Sequence, residues 1–270
     1  SDVYKRQVER YLRQIRRQED CRDMSEFVVV IPARYASERL PGKPLRSIAG
    51  KPMLQHVFER GTESGATQVI IATDDQRIAE AAKAFGANAC MTSSEHKSGT
   101  DRLAEVARAN GWSEETIIVN LQGDEPLMPP PLIGQCAALL DDERADVATL
   151  ASPILSDDDF ANPNIVKAFV DYEGFALYFS RAAIPYARSG DASNPARNAA
   201  LHHHGIYAYR NAILQQIVEA SQSPLEIAEQ LEQLRALSLG MRIKVGIPAT
   251  RPGPGVDTEE DLLAVARLLG

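Results

Sequence analysis

The sequence predicts an α/β fold built on a doubly wound, mostly parallel sheet. Short apolar runs rich in β-branched residues, Phe27 to Ile31 and Thr116 to Leu121, suit strands buried on both faces. Helix-length segments separate these runs, and such β-α-β-α alternation implies parallel strands joined by right-handed crossovers. The chain of 270 residues is 44% hydrophobic, enough for one large domain or one domain carrying an inserted lobe.

Phe27 to Ile31 is the first strand, and Pro32 ends it. A helix is expected from about Pro52 to Ser64, a strand from Gln68 to Thr73, and a helix from Asp75 to Phe85. Asn88 to Met91 reads as a short strand, Ser98 to Asn110 as a helix, Thr116 to Leu121 as a buried strand and Pro131 to Leu140 as a helix. Near Ala145 the pattern changes. Val147 to Pro153, Ile165 to Asp171 and Phe175 to Ser180 read as antiparallel strands, Arg188 to Leu201 as a polar loop, and Tyr207 to Tyr209 as strand. One long helix is expected from Pro224 to Leu239, opened by the S-x-x-E spacing of Ser223 and Glu226 and ended by Gly240. Arg242 to Ile247 is a last strand and Asp257 to Leu269 a closing helix. Residues 1–23 are polar and Arg-rich, with a few apolar residues at roughly helical spacing. Met24 reads as the natural start, and the stretch before it as an extension of uncertain origin; a helix that binds a partner is the alternative.

Composition removes several functions. The net charge is -8 with no basic tail, which argues against nucleic-acid binding. No apolar run approaches the roughly 20 residues of a membrane helix. The three cysteines, Cys21, Cys90 and Cys136, are scattered and odd in number, as in a reduced, cytoplasmic protein.

Four segments carry chemistry. Ile31-Pro-Ala-Arg34 and Glu38-Arg39-Leu-Pro-Gly42-Lys43 follow the first strand, on the edge where α/β sheets bind ligands. Between residues 31 and 51 stand five basic side chains (Arg34, Arg39, Lys43, Arg46 and Lys51) against one acid, Glu38. Guanidinium forks and an ammonium suit a triphosphate, though a solvated basic loop has the same composition. Neither standard phosphate-loop pattern is present. Asn120-Leu-Gln122-Gly-Asp124-Glu125 follows another buried strand, so its carboxylate shares that edge. Asp124 suits Mg²⁺ completed by phosphate oxygens and water, or a plain turn before Pro126. Asp124 and Glu125 point apart if extended, so one of them faces the site. Asp257, with Glu260 three residues on, reads locally as the N-cap of the last helix and also as a second carboxylate near Asp124. The fourth segment is His96-Lys-Ser98-Gly99-Thr100-Asp101-Arg102, in which Ser98 to Thr100 caps a helix or encloses a nucleobase. His202, His203 and His204 do not read as a zinc site, because consecutive strand residues alternate faces.

Taken together, these motifs resemble the CMP-Kdo synthetases, the 3-deoxy-manno-octulosonate (Kdo) cytidylyltransferases. The stretch I-P-A-R-Y-A-S-E-R-L-P-G-K-P-L resembles their N-terminal signature. N-L-Q-G-D-E-P, Y-F-S-R-A-x-I-P, H-x-G-I-Y-x-Y-R, S-P-L-E-x-x-E-x-L-E-Q-L-R and G-V-D-T-x-E-D follow in the family's order, from about Ser25 to the C-terminus. The resemblance implies a Rossmann-like nucleotidyltransferase domain over residues 24–270, with a smaller α+β lobe at about 150–215 for dimerisation and sugar contact, acting as a cytoplasmic homodimer. It implies transfer of CMP from CTP to the anomeric hydroxyl of Kdo with Mg²⁺, releasing pyrophosphate, in lipopolysaccharide biosynthesis. Arg34, Arg39 and Lys43 would hold the CTP phosphates, with Ala33, Ser98, Gly99 and Thr100 around the cytidine. Asp124 and Asp257 would hold the metal. Gln122, Arg181, His203, Tyr207, Glu229 and Gln233 would face Kdo. Arg34, Lys43, Asp124 and Asp257 would form the catalytic set. A transferase acting on a sialic acid or amino-Kdo is the near alternative, and a non-catalytic nucleotide-binding protein the distant one.

Overall fold

A computed structural model describes residues 25–36, 39–96, 98–186, 188 and 195–270. The expected extension, residues 1–23, lies outside the described residues. In chain order the elements are β1 (Phe27–Ala33), a ribbon of β2 (Ser47–Ile48) and β3 (Lys51–Pro52), α1 (Met53–Thr62), β4 (Gln68–Thr73), α2 (Gln76–Ala84), β5 (Asn88–Met91), α3 (Gly99–Ala109), β6 (Ile117–Asn120), α4 (Pro130–Ala138) and β7 (Val147–Pro153). There follow α5 (Asp157–Ala161), β8 (Lys167–Val170), β9 (Ala176–Ser180), α6 (Pro195–Ala199), β10 (Leu201–Arg210), α7 (Asn211–Glu219), α8 (Pro224–Glu229), α9 (Gln233–Ser238), β11 (Ile243–Gly246) and α10 (Glu259–Leu269).

Seven strands run in the order β11-β7-β10-β6-β1-β4-β5, and the pair β8-β9 joins through β10. β1 is parallel to β4 and β6, β4 to β5, and β11 to β7. β10 runs against β6, β7 and β8, and β8 against β9. The alternation of β1 explains the layering: Phe27, Val29 and Ile31 enter one core, Val28 and Val30 the other. α1, α2 and α4 supply Leu54, Ile78 and Leu132 to the first, while α3, α7 and α9 supply Leu103, Leu214 and Leu234 to the second.

β10 contains a register shift between His204 and Tyr207 relative to β7. Thr149 stitches it: its hydroxyl donates to Ile206 O at 2.7 Å and lies 3.1 Å from His203 Nε2. Alternation separates the three histidines as expected. His203 meets Phe179 edge-on at 5.1 Å and Tyr207 at 5.3 Å, while the His202 and His204 rings lie 4.9 Å apart.

The structure corrects several element expectations. The strand expected at Tyr207 to Tyr209 begins at Leu201, and a helical turn, α6, interrupts the expected loop from Arg188. α5 and α7 are additional, and α7 packs on α3. The last helix is capped by Thr258 with Asp261, not by Asp257 with Glu260, which leaves the Asp257 carboxylate free for other partners. The long helix from Pro224 to Leu239 is two helices, because Gln230 takes a left-handed conformation at φ 54°. Leu231 and Leu234 then turn into the core, and Arg235 returns to clasp Glu226 through two bonds of 2.9 and 2.6 Å. Both side chains are nearly buried (Glu226 2%, Arg235 9% exposed), so removing either partner should cost roughly 3–5 kcal/mol.

Burial, and then the neighbouring imidazoles, lower the pKa of His203 and His204 to about 3. A histidine whose folded pKa lies below its unfolded value stabilises the fold fully above about pH 6.5 and loses that contribution as pH falls toward 3. Urea unfolding should therefore show a loss of about 2 kcal/mol per histidine between pH 7 and pH 5. His204→Gln should remove about half of that loss.

Candidate active site

The two central strands of the parallel half deliver the first components. β1 ends at Ala33 and β6 at Asn120, side by side, and Leu121 N bonds Val30 O at 3.1 Å. Gly123 lets the following loop cross the end of β1: a Cβ there would stand 2.8 Å from Pro32 O. Gly42, at φ 67°, turns the basic loop into a 3₁₀ turn over Lys43–Leu45. The third component arrives from β11. Val256 N bonds Asp124 O at 2.9 Å and so sets Asp257 beside Asp124.

Lys43 closes this convergence. Its ammonium lies 2.7 Å from Asp124 Oδ2 and 3.0 Å from Asp257 Oδ1. Burial alone would lower its pKa, but Asp124 and then Asp257 outweigh that and hold it above the usual lysine value. Arg39 pairs with the other Asp257 oxygen at 3.2 Å. Ala33, Arg34, Arg39, Lys43, Ser98, Gly99, Gln122, Asp124 and Asp257 all line one cleft of about 830 Å³. His96, bonded to Glu105 at 2.5 Å, and Arg102, held by Asp74 at 2.7 Å, also face it; they are the two ends of the segment singled out in the sequence, where neither is assigned a site role.

Gly99, Gln122 and Glu232 line both this cleft and a second cavity of about 190 Å³. Of the residues expected at the sugar, Gln122, Tyr207 and Gln233 line the second cavity. Gln233 Nε2 is buried with no hydrogen-bond partner. His203 sits against Tyr207. Arg181 and Glu229 do not line the cavity in this arrangement. Glu229 accepts from Ser180 Oγ at 2.6 Å and Arg181 N at 2.9 Å, while Arg181 Nε donates to Glu229 O at 2.8 Å. Thr100 lines the second cavity, not the larger cleft where Ser98 and Gly99 stand.

Hard oxygen donors with phosphate-binding cations beside them fit Mg²⁺, which takes one or two carboxylates and completes its shell with phosphate oxygens and water. Asp124 and Asp257 fit that need, since one ammonium reaches both. Among the described residues no group of three or more His, Cys, Asp or Glu side chains forms an all-protein metal cage. Among the described helices none is long and apolar enough to cross a membrane.

The sequence profile of the cytidylyltransferase family matches residues 28–243, so fold and sequence alike place the chain in the cytidylyltransferase class. Similar proteins narrow that class. A 3-deoxy-manno-octulosonate cytidylyltransferase of Tolumonas auensis is 53% identical over 90% of this chain and 97% of its own length. One of Idiomarina loihiensis is 52% identical over 90% of this chain and 98% of its own length. A solved CMP:2-keto-3-deoxy-manno-octonic acid synthetase complexed with CTP superposes with a TM-score of 0.83 at 46% identity, covering 91% of this chain and 98% of that one. A cytidylyltransferase from Leptospira borgpetersenii, 18% identical with a TM-score of 0.57 over 90% of this chain and 86% of its own, shares the fold. The chain belongs to the 3-deoxy-manno-octulosonate cytidylyltransferase family.

Glu125 behaves differently from its neighbour Asp124. Burial, then the charges of Asp124 and Asp257, push its carboxyl pKa up to about 8. An acid whose folded pKa is raised costs stability as pH rises from its unfolded value of about 4.3 toward 8. Glu125→Gln should therefore stabilise the chain by up to a few kcal/mol at pH 8 and little at pH 4, measured by urea unfolding at both values.

Proposed function

We propose that this chain transfers CMP from CTP to the anomeric hydroxyl of Kdo, releasing pyrophosphate, with Mg²⁺ held by Asp124 and Asp257. The observation that carries this reading is the Lys43 ammonium held between Asp124 and Asp257 at the point where three loops meet. The similar proteins that bear the same activity in their names support it.

The residues divide the work along the two cavities. Arg34, Arg39 and Lys43 receive the triphosphate, because guanidinium forks and an ammonium match its charge and geometry. Ala33, Ser98 and Gly99 form the wall near the cytidine. Gln122, Tyr207 and Gln233 offer hydrogen bonds to the sugar hydroxyls, and the unpartnered Gln233 Nε2 gains a partner when the cavity fills. Arg181, which lies outside both cavities with its guanidinium on Glu229 O and Pro163 O, would have to turn inward to pair with the sugar carboxylate. The anomeric oxygen attacks the α-phosphorus in line, an oxygen–phosphorus bond forms as the hydroxyl proton passes to solvent, and the bond to the departing pyrophosphate breaks. The basic loop stabilises charge gathering on that leaving group. A bound Mg²⁺ would neutralise phosphate charge and acidify the attacking hydroxyl. Holding both substrates in this geometry supplies much of the acceleration.

We place the enzyme in the cytoplasm, as a homodimer serving lipopolysaccharide biosynthesis. The exposed Tyr172 and Leu177 on the β8-β9 pair offer apolar surface for a second copy.

Pyrophosphate release from CTP and Mg²⁺ should occur with Kdo and not with N-acetylneuraminate or without a sugar. Release with N-acetylneuraminate alone would reassign the sugar, and no release with either would favour a binding protein. Asp124→Ala should abolish release with unchanged circular dichroism; normal turnover in that variant would remove the metal assignment. Arg34→Ala should raise the KM for CTP by roughly tenfold, the scale of one lost charge-assisted hydrogen bond. An unchanged KM would move the phosphate site elsewhere.

A further inference from the structure

The foot of the basic loop is clamped from a neighbouring strand. Tyr35 directly follows Arg34 and Gly42 directly precedes Lys43, so these two residues sit beside the cations that the transfer reading assigns to the triphosphate. They also meet each other. Gly42 N donates to Tyr35 O at 3.2 Å, and a Cβ at Gly42 would stand 3.1 Å from the Tyr35 hydroxyl oxygen. The ring packs against the core on the first face of the sheet. A guanidinium lies over it, with Arg77 Cζ 3.3 Å from the ring centroid.

Arg77 is held in place for this contact. Asp75 grips it as a fork, Nε to Oδ1 at 2.9 Å and Nη2 to Oδ2 at 2.6 Å. Asp75 is itself fixed. Its side chain caps α2 by accepting from Arg77 N at 2.9 Å, and its own N–H donates to Thr73 Oγ1 at 3.2 Å, where β4 ends. Contacts therefore run from the buried Thr73 through Asp75, Arg77 and Tyr35 to Gly42. Helix stability does not explain the arginine. Arg77 stands in the first turn of α2, where the helix dipole disfavours a cation, and alanine is the better helix former. Direct contact with a ligand does not explain it either, because neither Arg77 nor Tyr35 lines the cleft. What its position serves is the ring at the foot of the loop.

We propose that Arg77 is a positioning residue for the nucleotide: held by Asp75, it pins the Tyr35 ring and with it the turn at Gly42, so that Arg34 and Lys43 are presented to the triphosphate in one arrangement. This rests on the transfer reading above. None of Tyr35, Gly42 and Arg77 lines the smaller cavity, so the effect falls on CTP and not on Kdo.

The test is calorimetric titration of the full chain with CTP and Mg²⁺, beside pyrophosphate release with each substrate varied in turn and the melting temperature of every variant. Arg77→Ala should weaken CTP binding roughly two- to fivefold, the scale of one exposed cation–π contact, and leave the KM for Kdo unchanged. Tyr35→Leu keeps the guanidinium but removes the face it covers. It should lose at least as much CTP affinity, and Arg77→Ala should lose nothing further in that background. Tyr35→Phe keeps the ring and should stay within about twofold of the parent. Unchanged CTP affinity in Arg77→Ala would overturn the assignment. So would equal weakening toward Kdo, which marks a general loosening, and so would additive losses in the double variant, which mark the charge of Arg77 acting at a distance. A Tyr35→Phe as weak as Tyr35→Leu would overturn it by moving the role to the hydroxyl. A parent that binds CTP yet releases no pyrophosphate would remove the transfer reading, and the clamp would then stand or fall by the calorimetry; a parent that binds no CTP would remove both.

Discussion

One ammonium organises the functional edge of this protein. Lys43 reaches Asp124, 81 positions later, and Asp257, 214 positions later, so a single cation ties together loops from β1, β6 and β11. Without it, two carboxylates would face each other at the end of a sheet, a like-charge arrangement that opposes closing the loops. The backbone prepares the meeting. Gly123 permits the close crossing over Pro32, and the Val256–Asp124 bond sets the third loop. The remaining contacts in the cleft follow from this point: Arg39 completes the Asp257 pairing, and Glu125, sharing the same negative surroundings, keeps its proton.

The sheet divides the labour. Strands β1, β5, β6 and β11 hand residues that follow their C-terminal ends to the larger cleft. The antiparallel β10 brings side chains from its own face, among them Tyr207, to the smaller cavity. The larger cleft is thus walled mainly by loops that present backbone and long cations, while the smaller cavity is walled by a strand and the helices beside it. The two regions share Gly99, Gln122 and Glu232.

Much of this was legible in the residues. The continuous apolar run of β1 announced a strand buried on both faces, and the basic loop, the Asp124 loop and the Asp257 loop were each visible as local patterns. Their shared edge, and Asp257 near Asp124, were expected; what a local reading could not supply was the Lys43 ammonium between the two carboxylates, because its bonds span 81 and 214 positions. The capping of α10 shows the same limit: Asp257 has the composition of an N-cap, but Thr258 takes that place because Asp257 is held by Lys43 and Arg39. The run from Pro224 to Leu239 has helical periodicity throughout, and no glycine or proline marks its break. Burial of Leu231 and Leu234 and the Glu226–Arg235 pair outweigh the modest cost of a left-handed glutamine. β7 and β10 belong to the main sheet, and the pair β8-β9 joins it through β10.

The register shift in β10 carries a consequence for how the chain can vary in length. Between His204 and Tyr207 the strand advances three residues while β7 advances from Leu150 to Thr149, a single step, so β10 holds two surplus residues there. An even surplus conserves phase: His203 on one side and Tyr207 and Tyr209 on the other still point the same way. Losing or gaining one residue at Gly205–Ile206 would invert every side chain upstream, sending His203 to the opposite face and bringing His202 and His204 round in its place. Removing both would keep the parity but discard the carbonyl that Thr149 holds. Length changes in this stretch are thus quantised in pairs, an arithmetic constraint on insertion and deletion that no single side chain reveals.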